Sequence, residues 1–557
     1  MNDRARLIYL PLGGAGEIGM NCYVYGYGPK GKERFILVDL GVSFPDMDET
    51  PGVDLILPDL AWLVERADRL DGIFITHAHE DHVGAVGHLF KQLNAPIYAR
   101  VFTAHIARRK MDDAGQDPKM VHTVAAWPES VQAGPFTVHF APMSHSIPEA
   151  SGLVIDCPAG RIVHTGDFKI DHHPIVGEAF SEDMWRDIAK DGVLALTCDS
   201  TNVFSRAPGR SESMLPEPIT QLVAGAKGMV VATTFASNIA RLQTLADAGI
   251  AAGRSVVLMG RAMKRMVSAG VETGVLPNFP NTVSPEDAGG IPRESLMLIV
   301  TGSQGERRAA SAQLARGKYL GQKLKEGDLF LFSSKTIPGN ETAVGRIQNA
   351  LSEIGVDVVD ENSGFYHVSG HANRPDLEAM HDLIRPSILL PMHGEHRHLR
   401  EHAKLGTAKG ILSVVAPNGS LVELTGNSPG IVEHVDVART YLDGTSLVGA
   451  FDGVVRDRIR LAINGLVVVA LIVDEADDLL DDSWVAVRGL PERIGKGDVL
   501  SDYLEDRLAD VLPTLEPKTV GDDDKLEEAV KRIVRQVCMA EVGKKPEVTV
   551  LISRLMA

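Results

Sequence analysis

The sequence predicts an α/β protein of several domains, and three observations carry that reading. Short apolar runs recur that stop abruptly at polar residues beside a glycine, as buried strands do when they present functional groups at their tips. From about Glu217 the texture becomes alternating strand-like and helix-like segments, the pattern of a parallel sheet with helical crossovers. At 557 residues the chain is also too long for one core.

The first segments read strand, turn, strand: Leu7–Leu10, the glycine cluster Gly13–Gly19, Cys22–Tyr25 and Phe35–Asp39. The glycine cluster lacks the following helix and the Lys-Ser/Thr pair of a phosphate loop, which argues against a nucleotide site. Asp39 ends a buried strand and is placed to orient a neighbouring histidine. The apolar run Gly72–Ile75 then leads into Thr76-His77-Ala78-His79-Glu80-Asp81-His82-Val83-Gly84. Crowding imidazoles and carboxylates at a strand end is costly in a folded core unless a cation compensates. Imidazole nitrogen and carboxylate oxygen both suit zinc. In extended chain His77 and His79 point one way, and Asp81 and His82, past the turn, can face a second ion.

Val83–Leu93 has helical spacing, and Ile97–Ala99 returns as a strand. Phe136–Phe140 is a strand running out at His145, and Arg161–His164 is another that delivers Asp167, so both residues join the metal cluster. His164, inside the strand end, reads as structural. Val193–Cys198 repeats the theme with Asp199 at its tip. In the alternating region, strands end at Thr301-Gly302-Ser303 and Ser333-Ser334-Lys335, where backbone N–H groups can meet a phosphate. Phe365–His371 and Ile388–Glu395 each place a histidine near a strand end, and short strands are expected as far as Thr425. Asn464-Gly465 is a hairpin signal, so Arg456–Val473 is expected as a hairpin opening the last domain. Two amphipathic helices near Asp498–Val511 and Asp524–Val542 and a strand from Glu547 complete it.

The net charge of −18 argues against a polyanionic partner only if the charge is evenly spread. It is not. Acid gathers at 474–482 and 522–524, whereas Arg241, Arg254, Arg261, Lys264, Arg265, Arg307, Arg308, Arg316, Lys318, Lys323 and Lys325 make the middle basic, compatible with a groove for nucleic acid. No apolar run approaches the roughly 20 residues of a membrane span. Cys22, Cys157, Cys198 and Cys538 show no disulfide or metal-type pairing, which fits a reducing cytoplasm.

Thr76–His82, His145, Asp167 and His393 resemble the metal-binding motifs of the metallo-β-lactamase superfamily. Asp199-Ser-Thr-Asn202, His371 and His393 resemble the added motifs of its nucleic-acid branch, the β-CASP nucleases. Leu12–Asn21, Thr301–Glu306, Ile337–Glu341, His367–His371 and Pro391–Glu395 are similar to those of the bacterial ribonuclease J family. The resemblance implies an αββα metal-binding domain interrupted by a parallel α/β β-CASP domain, then a small α+β C-terminal domain. The expected boundaries are 1–215, 216–365, 366–450 and 451–557.

It further implies one zinc on His77, His79, His145 and Asp167, and a second on Asp81, His82 and His393 with Asp167 as bridge. Manganese fits the same donors. The implied activity is 5′-to-3′ exoribonuclease action favouring a 5′-monophosphate, with endonuclease activity, in messenger decay and ribosomal RNA maturation. Implied partners are single-stranded RNA, a second copy in a dimer or further copies in a tetramer, and other RNA-decay proteins. Asp81 would help orient or deprotonate the attacking water, and His371, steadied by Asp199, would protonate the departing oxygen. Ser369 and Gly370, in the segment His367–His371 with Val368, are first choice for the 5′-phosphate pocket, with Ser303 and Ser333 behind them.

Overall fold

The computed structural model describes residues 4–337, 339–426, 428–474, 483–495 and 497–555. The acidic run expected at 475–482 and Pro338 of the Ile337–Glu341 motif lie outside the described residues. The chain divides into two compact units, Met1–Ser43 with Leu57–Ala438, and Phe44–Ile56 with Arg439–Ala557.

In the first unit two mixed sheets face each other. One has the strand order Gly430–His434, Ser420–Glu423, Ala5–Gly13, Cys22–Pro29, Arg34–Val38, Leu70–Phe74, Ile97–Ala99, Val121–Thr123. The other runs Leu412–Ser413, Ile388–Met392, Ala195–Asp199, Gly160–His164, Ser151–Cys157, Phe136–Pro142, Ser130–Ala133. Tyr9, Tyr25, Ile36 and Phe74 of the first sheet share a buried core with Val138, Ile155, Ile162 and Leu390 of the second. Alternation puts Val163, Leu196 and Cys198 on the second sheet's other face, where they pack with Leu377 and Met380 of the helix Arg374–Ile384. Strands from both halves of the chain are therefore neighbours: Ala195–Asp199 pairs in parallel with Ile388–Met392.

The region between them is a five-stranded, wholly parallel sheet in the order Ser255–Met259, Leu296–Val300, Val230–Thr233, Leu329–Phe332, Asp357–Val359. Its strands are near-continuous apolar runs because both faces are covered, by separate cores.

In the second unit, Leu466–Val473 pairs antiparallel with Trp484–Arg488 and parallel with Glu547–Arg554. The helices Leu500–Val511 and Asp523–Val542 bury Leu504, Leu508, Val530 and Val534 in that unit's core. Here the sequence reading needs two corrections. Val454–Asn464 is a helix rather than the first arm of a hairpin. Gly465, with φ +76°, ends that helix, and its left-handed backbone serves a helix terminus as well as it serves a turn. Likewise the short strands expected before Thr425 are interrupted by the helix His396–Ala408. The Pro391–Glu395 segment feeds directly into it, and its buried positions His398, Leu399, His402, Ala403 and Gly406 follow the helical period.

Candidate metal centre

The strand Leu70–Phe74 ends inside the core, residues 75–79 stay extended, and a helical turn begins at Glu80. That change of direction sends His77 and His79 one way and Asp81 and His82 another. The turn is pinned by backbone pairing: Asn21 N–H donates to Asp81 O (2.8 Å), Leu40 N–H to His82 O (2.8 Å) and Val42 N–H to Glu80 O (3.0 Å). Gly41 lies so close that a Cβ there would stand 1.7 Å from Asp81 O. No other residue fits.

Two donor sets result, within each of which the candidate ligand atoms lie within 4.8 Å of one another: His77, His79, His145 and Asp167, and Asp81, His82, Asp167 and His393. His79 Nδ1 is 3.1 Å from both His77 Nε2 and His145 Nε2. His82 Nε2 lies 3.1 Å from Asp167 Oδ2, and His393 Nε2 lies 3.3 Å from Asp81 Oδ2. Asp167 belongs to both sets, supplied by the loop after Gly160–His164, and His393 follows the strand Ile388–Met392.

The surrounding contacts fix which ring nitrogen points inward. His82 Nδ1 is 2.7 Å from Asp39 Oδ2, a carboxylate that can only accept, so the ring donates there. The Thr76 hydroxyl donates to Asp39 (2.9 Å to Oδ2) and therefore accepts from His77 Nδ1 at 3.0 Å. His145 Nδ1–H donates to Gly370 O at 2.6 Å. His77 and His145 thus turn an Nε2 lone pair toward their neighbours and His82 turns its Nε2 toward Asp167, the orientation that outer partners impose on metal-binding histidines. Lone pairs facing lone pairs repel. His79 can donate its single Nδ1 proton to only one of the two rings beside it. A cation in the first set resolves that conflict, and Asp81, His82, Asp167 and His393 gather a second set of carboxylate and imidazole donors, so the residues present fit a two-metal site.

Burial, reinforced by neighbouring imidazoles, holds His77 and His145 well below the ordinary histidine range. Burial likewise pushes His79 down to about 4 against the opposing pull of Asp81 and Asp167. Those three rings are neutral, as metal ligands must be, whereas at His82 and His393 the neighbouring carboxylates, Asp167 foremost, outweigh burial and raise both, His393 to about 10. Asp39 and His393 both hold left-handed backbone, φ +61° and +48°. Such strain in non-glycine residues is sustained only where the surroundings over-determine it.

Beside the donors, His371 Nδ1 is 2.8 Å from Asp199 Oδ2. Burial disfavours its charged form, but Asp199 and Asp167 outweigh burial and raise its pKa. His79, Asp81 and His371 are the partly open members, the side chains of Asp81 and His371 being 28% and 23% exposed.

The other expected contacts are mixed. Ser369 Oγ accepts from Asn202 Nδ2 (2.8 Å), and Gly370 presents its carbonyl to His145. Ser333 is fully buried, donating to Tyr366 O (2.7 Å) and accepting from Arg241. Ser303 is also buried, His367 Nδ1 meets Arg241 Nη1 at 3.2 Å, and Val368 packs into an apolar core, leaving only its backbone for a ligand. His164 is structural, its Nδ1 3.0 Å from the Tyr25 hydroxyl. Sequence reasoning missed Asn21, whose Nδ2 reaches His82 Nε2 (2.9 Å), Thr76, and Asn202, which also donates to His371 O. Asn21 and Asn202 close the Leu12–Asn21 and Asp199–Asn202 motifs. Arg241 and Arg254 do not line a basic groove: Arg241 is paired with Glu212 (3.0 Å), and Arg254 is spent on the carbonyls of Ala226 and Gly228. Arg261, Lys264, Arg265, Arg307, Arg308, Arg316, Lys318, Lys323 and Lys325 are exposed.

Family models match along most of the chain. Residues 15–191 match the metallo-β-lactamase superfamily, 227–351 the β-CASP domain of ribonuclease J, 355–417 the Zn-dependent metallo-hydrolase RNA specificity domain, and 453–555 the ribonuclease J C-terminal domain. The chain is 41% identical to ribonuclease J of Sinorhizobium meliloti over 557 residues, covering all of this chain and 98% of that one. It is 35% identical to ribonuclease J 1 of Streptococcus pyogenes, covering 83% and 82% of the two chains, and 30% identical to ribonuclease J of Helicobacter pylori, covering 98% and 80%. A crystal structure of a protein of unknown function from Enterococcus faecalis V583 shares the fold, with a TM-score of 0.50 at 17% identity, covering 75% of this chain and 100% of that one. The spacing of its motifs, the β-CASP insertion and full-length similarity together establish that this chain belongs to the ribonuclease J family of metallo-β-lactamase fold proteins.

Proposed function

We propose that the chain is a metal-dependent ribonuclease that degrades single-stranded RNA from the 5′ end, prefers a 5′-monophosphate, and also cuts internally. The observation that carries this reading is the His371–Asp199 pair, 2.8 Å apart, standing at the edge of two converging donor sets. His77, His79, His145 and Asp167 would hold one zinc ion, and Asp81, His82, Asp167 and His393 the other, with manganese the alternative. Such ions supply Lewis acidity toward the phosphate and acidify water near neutral pH.

The protein's own groups do the rest. Asp81, partly open to solvent, orients the attacking water and receives its proton. His371 donates its proton to the departing 3′-oxygen, and Asp199 holds the imidazole in position and favours its protonated form. The Ser369–Gly370 segment, held by Asn202 and His145, borders that centre and is our choice for seating the 5′-phosphate. The exposed cations of the inserted domain favour a polyanion, and RNA affinity falls steeply with salt on this reading. Roles in messenger decay and ribosomal RNA maturation, a cytoplasmic setting, a dimeric or tetrameric assembly and company with other RNA-decay proteins complete the proposal. Among the described residues no helix is long and apolar enough to cross a membrane.

Digestion of end-labelled RNA and DNA of matched sequence tests it, using RNA with triphosphate, monophosphate and hydroxyl 5′ ends. Monophosphorylated RNA should disappear fastest, from the 5′ end. Equal rates on the three ends would overturn the end preference, and equal rates on DNA the substrate class.

A further inference from the structure

We propose that Cys198, His381 and His402 form a buried binding site for a thiophilic transition-metal ion, sharing no donor with the centre described above. Cys198 lies one residue before Asp199 on the strand Ala195–Asp199, so its side chain points to the opposite face of the sheet. Two helices meet it there: Arg374–Ile384 brings His381 and His396–Ala408 brings His402. All three residues are at most 1% exposed, and their donor atoms lie within 4.8 Å of one another.

The surroundings are apolar, with Leu377, Met380 and Leu389 in the same cluster, where a thiol and two imidazoles are poor choices for packing alone. The rings stack with an interplanar angle of 13° and their Nε2 atoms are 3.0 Å apart. His402 Nδ1 is anchored to the Ser200 hydroxyl at 2.9 Å, which aims Nε2 at the cluster just as Thr76 aims His77. His381 Nδ1 is buried and has no hydrogen-bond partner among the described residues.

Burial keeps both rings neutral, holding His381 down to about 4, so each keeps a lone pair for a metal at neutral pH. Burial pushes the Cys198 thiol up, with Asp199 adding to the effect. A bound cation reverses that preference: the thiol releases its proton to solvent and the thiolate becomes a ligand. Zinc–nitrogen bonds of about 2.0–2.1 Å and a zinc–sulfur bond of about 2.3 Å place tetrahedral donors roughly 3.3–3.7 Å apart. The two Nε2 atoms, 3.0 Å apart, need to open by only a few tenths of an ångström, the sulfur lies within 4.8 Å of the ring donors, and a His₂Cys set suits zinc or copper. The alternative occupant of the same geometry is a proton shared between the two imidazoles.

The test titrates the full-length protein, its main centre already loaded, with Co²⁺ or Cd²⁺ and follows thiolate-to-metal charge-transfer absorption. None of the seven donors of the main centre contains sulfur, so the band reports this site. Wild type should develop it with saturation at one ion per chain, and Cys198→Ser should lose both the band and that extra ion while keeping the other two. Absence of the band in wild type, or its persistence in Cys198→Ser through another cysteine, would overturn the proposal. Should Cys198→Ser fail to fold, His381→Gln keeps the thiol and must weaken the ion at least tenfold; unchanged affinity overturns it equally.

Discussion

Asp39 Oδ2 sits 2.7 Å from His82 Nδ1 while the same carboxylate receives Thr76 N–H at 2.7 Å and the Thr76 hydroxyl at 2.9 Å. One buried acid at the end of one strand thereby sets the direction of two candidate ligands, His82 directly and His77 through Thr76.

Asp39→Asn should therefore weaken metal binding without removing a ligand. The amide cannot satisfy both donors, and loss of such an outer partner costs about 10–100-fold in affinity. Competition against a chromophoric chelator measures it, and wild-type affinity would refute the role.

His371→Gln separates proton transfer from metal holding. RNA cleavage should drop by about 10²–10⁴-fold with metal content unchanged by elemental analysis. Loss of metal in step with activity would instead place His371 among the ligands, since Asp167, Asp199, His371 and His393 also cluster within 4.8 Å.

Stripping the metals should lower the melting temperature. An ion present at about a thousand times its Kd stabilises the fold by roughly 4 kcal/mol. The stripped state keeps two ring nitrogens crowded against His79 Nδ1, each at 3.1 Å. Calorimetry with and without chelator decides the matter; superimposable melts would mean that the donors hold nothing.

Glu212→Ala strands the Arg241 guanidinium, which is fully buried and bonded to both carboxylate oxygens. Removing one partner of a buried pair costs about 3–5 kcal/mol. A denaturant midpoint that does not move would show the pair to be dispensable.

How much of this was legible in advance depends on the kind of signal. Donor residues just past strand ends are visible as residue types in a pattern: Asp167 and His393 follow strands and adjoin glycines, His145 follows the strand Phe136–Pro142, and Asp81 lies in the helical turn beyond Leu70–Phe74. What fixes them is written in backbone contacts. The Gly370 carbonyl that orients His145 lies 225 residues away, and nothing in either local sequence announces the other. Arg241 and Arg254 read as surface charge because sequence shows a residue's type and not the direction of its side chain. Asn464-Gly465 misled for a related reason: a left-handed glycine ends a helix and opens a hairpin equally well.

His393 enters the chain 226 residues after Asp167, its hydrogen-bonding partner. At a synthesis rate of about 5–20 residues per second, those positions are separated by roughly 11–45 s of translation. A ribosome making this protein thus holds a nascent chain whose candidate metal centre lacks one donor throughout that passage. The second set of donors therefore closes only after the inserted domain has emerged.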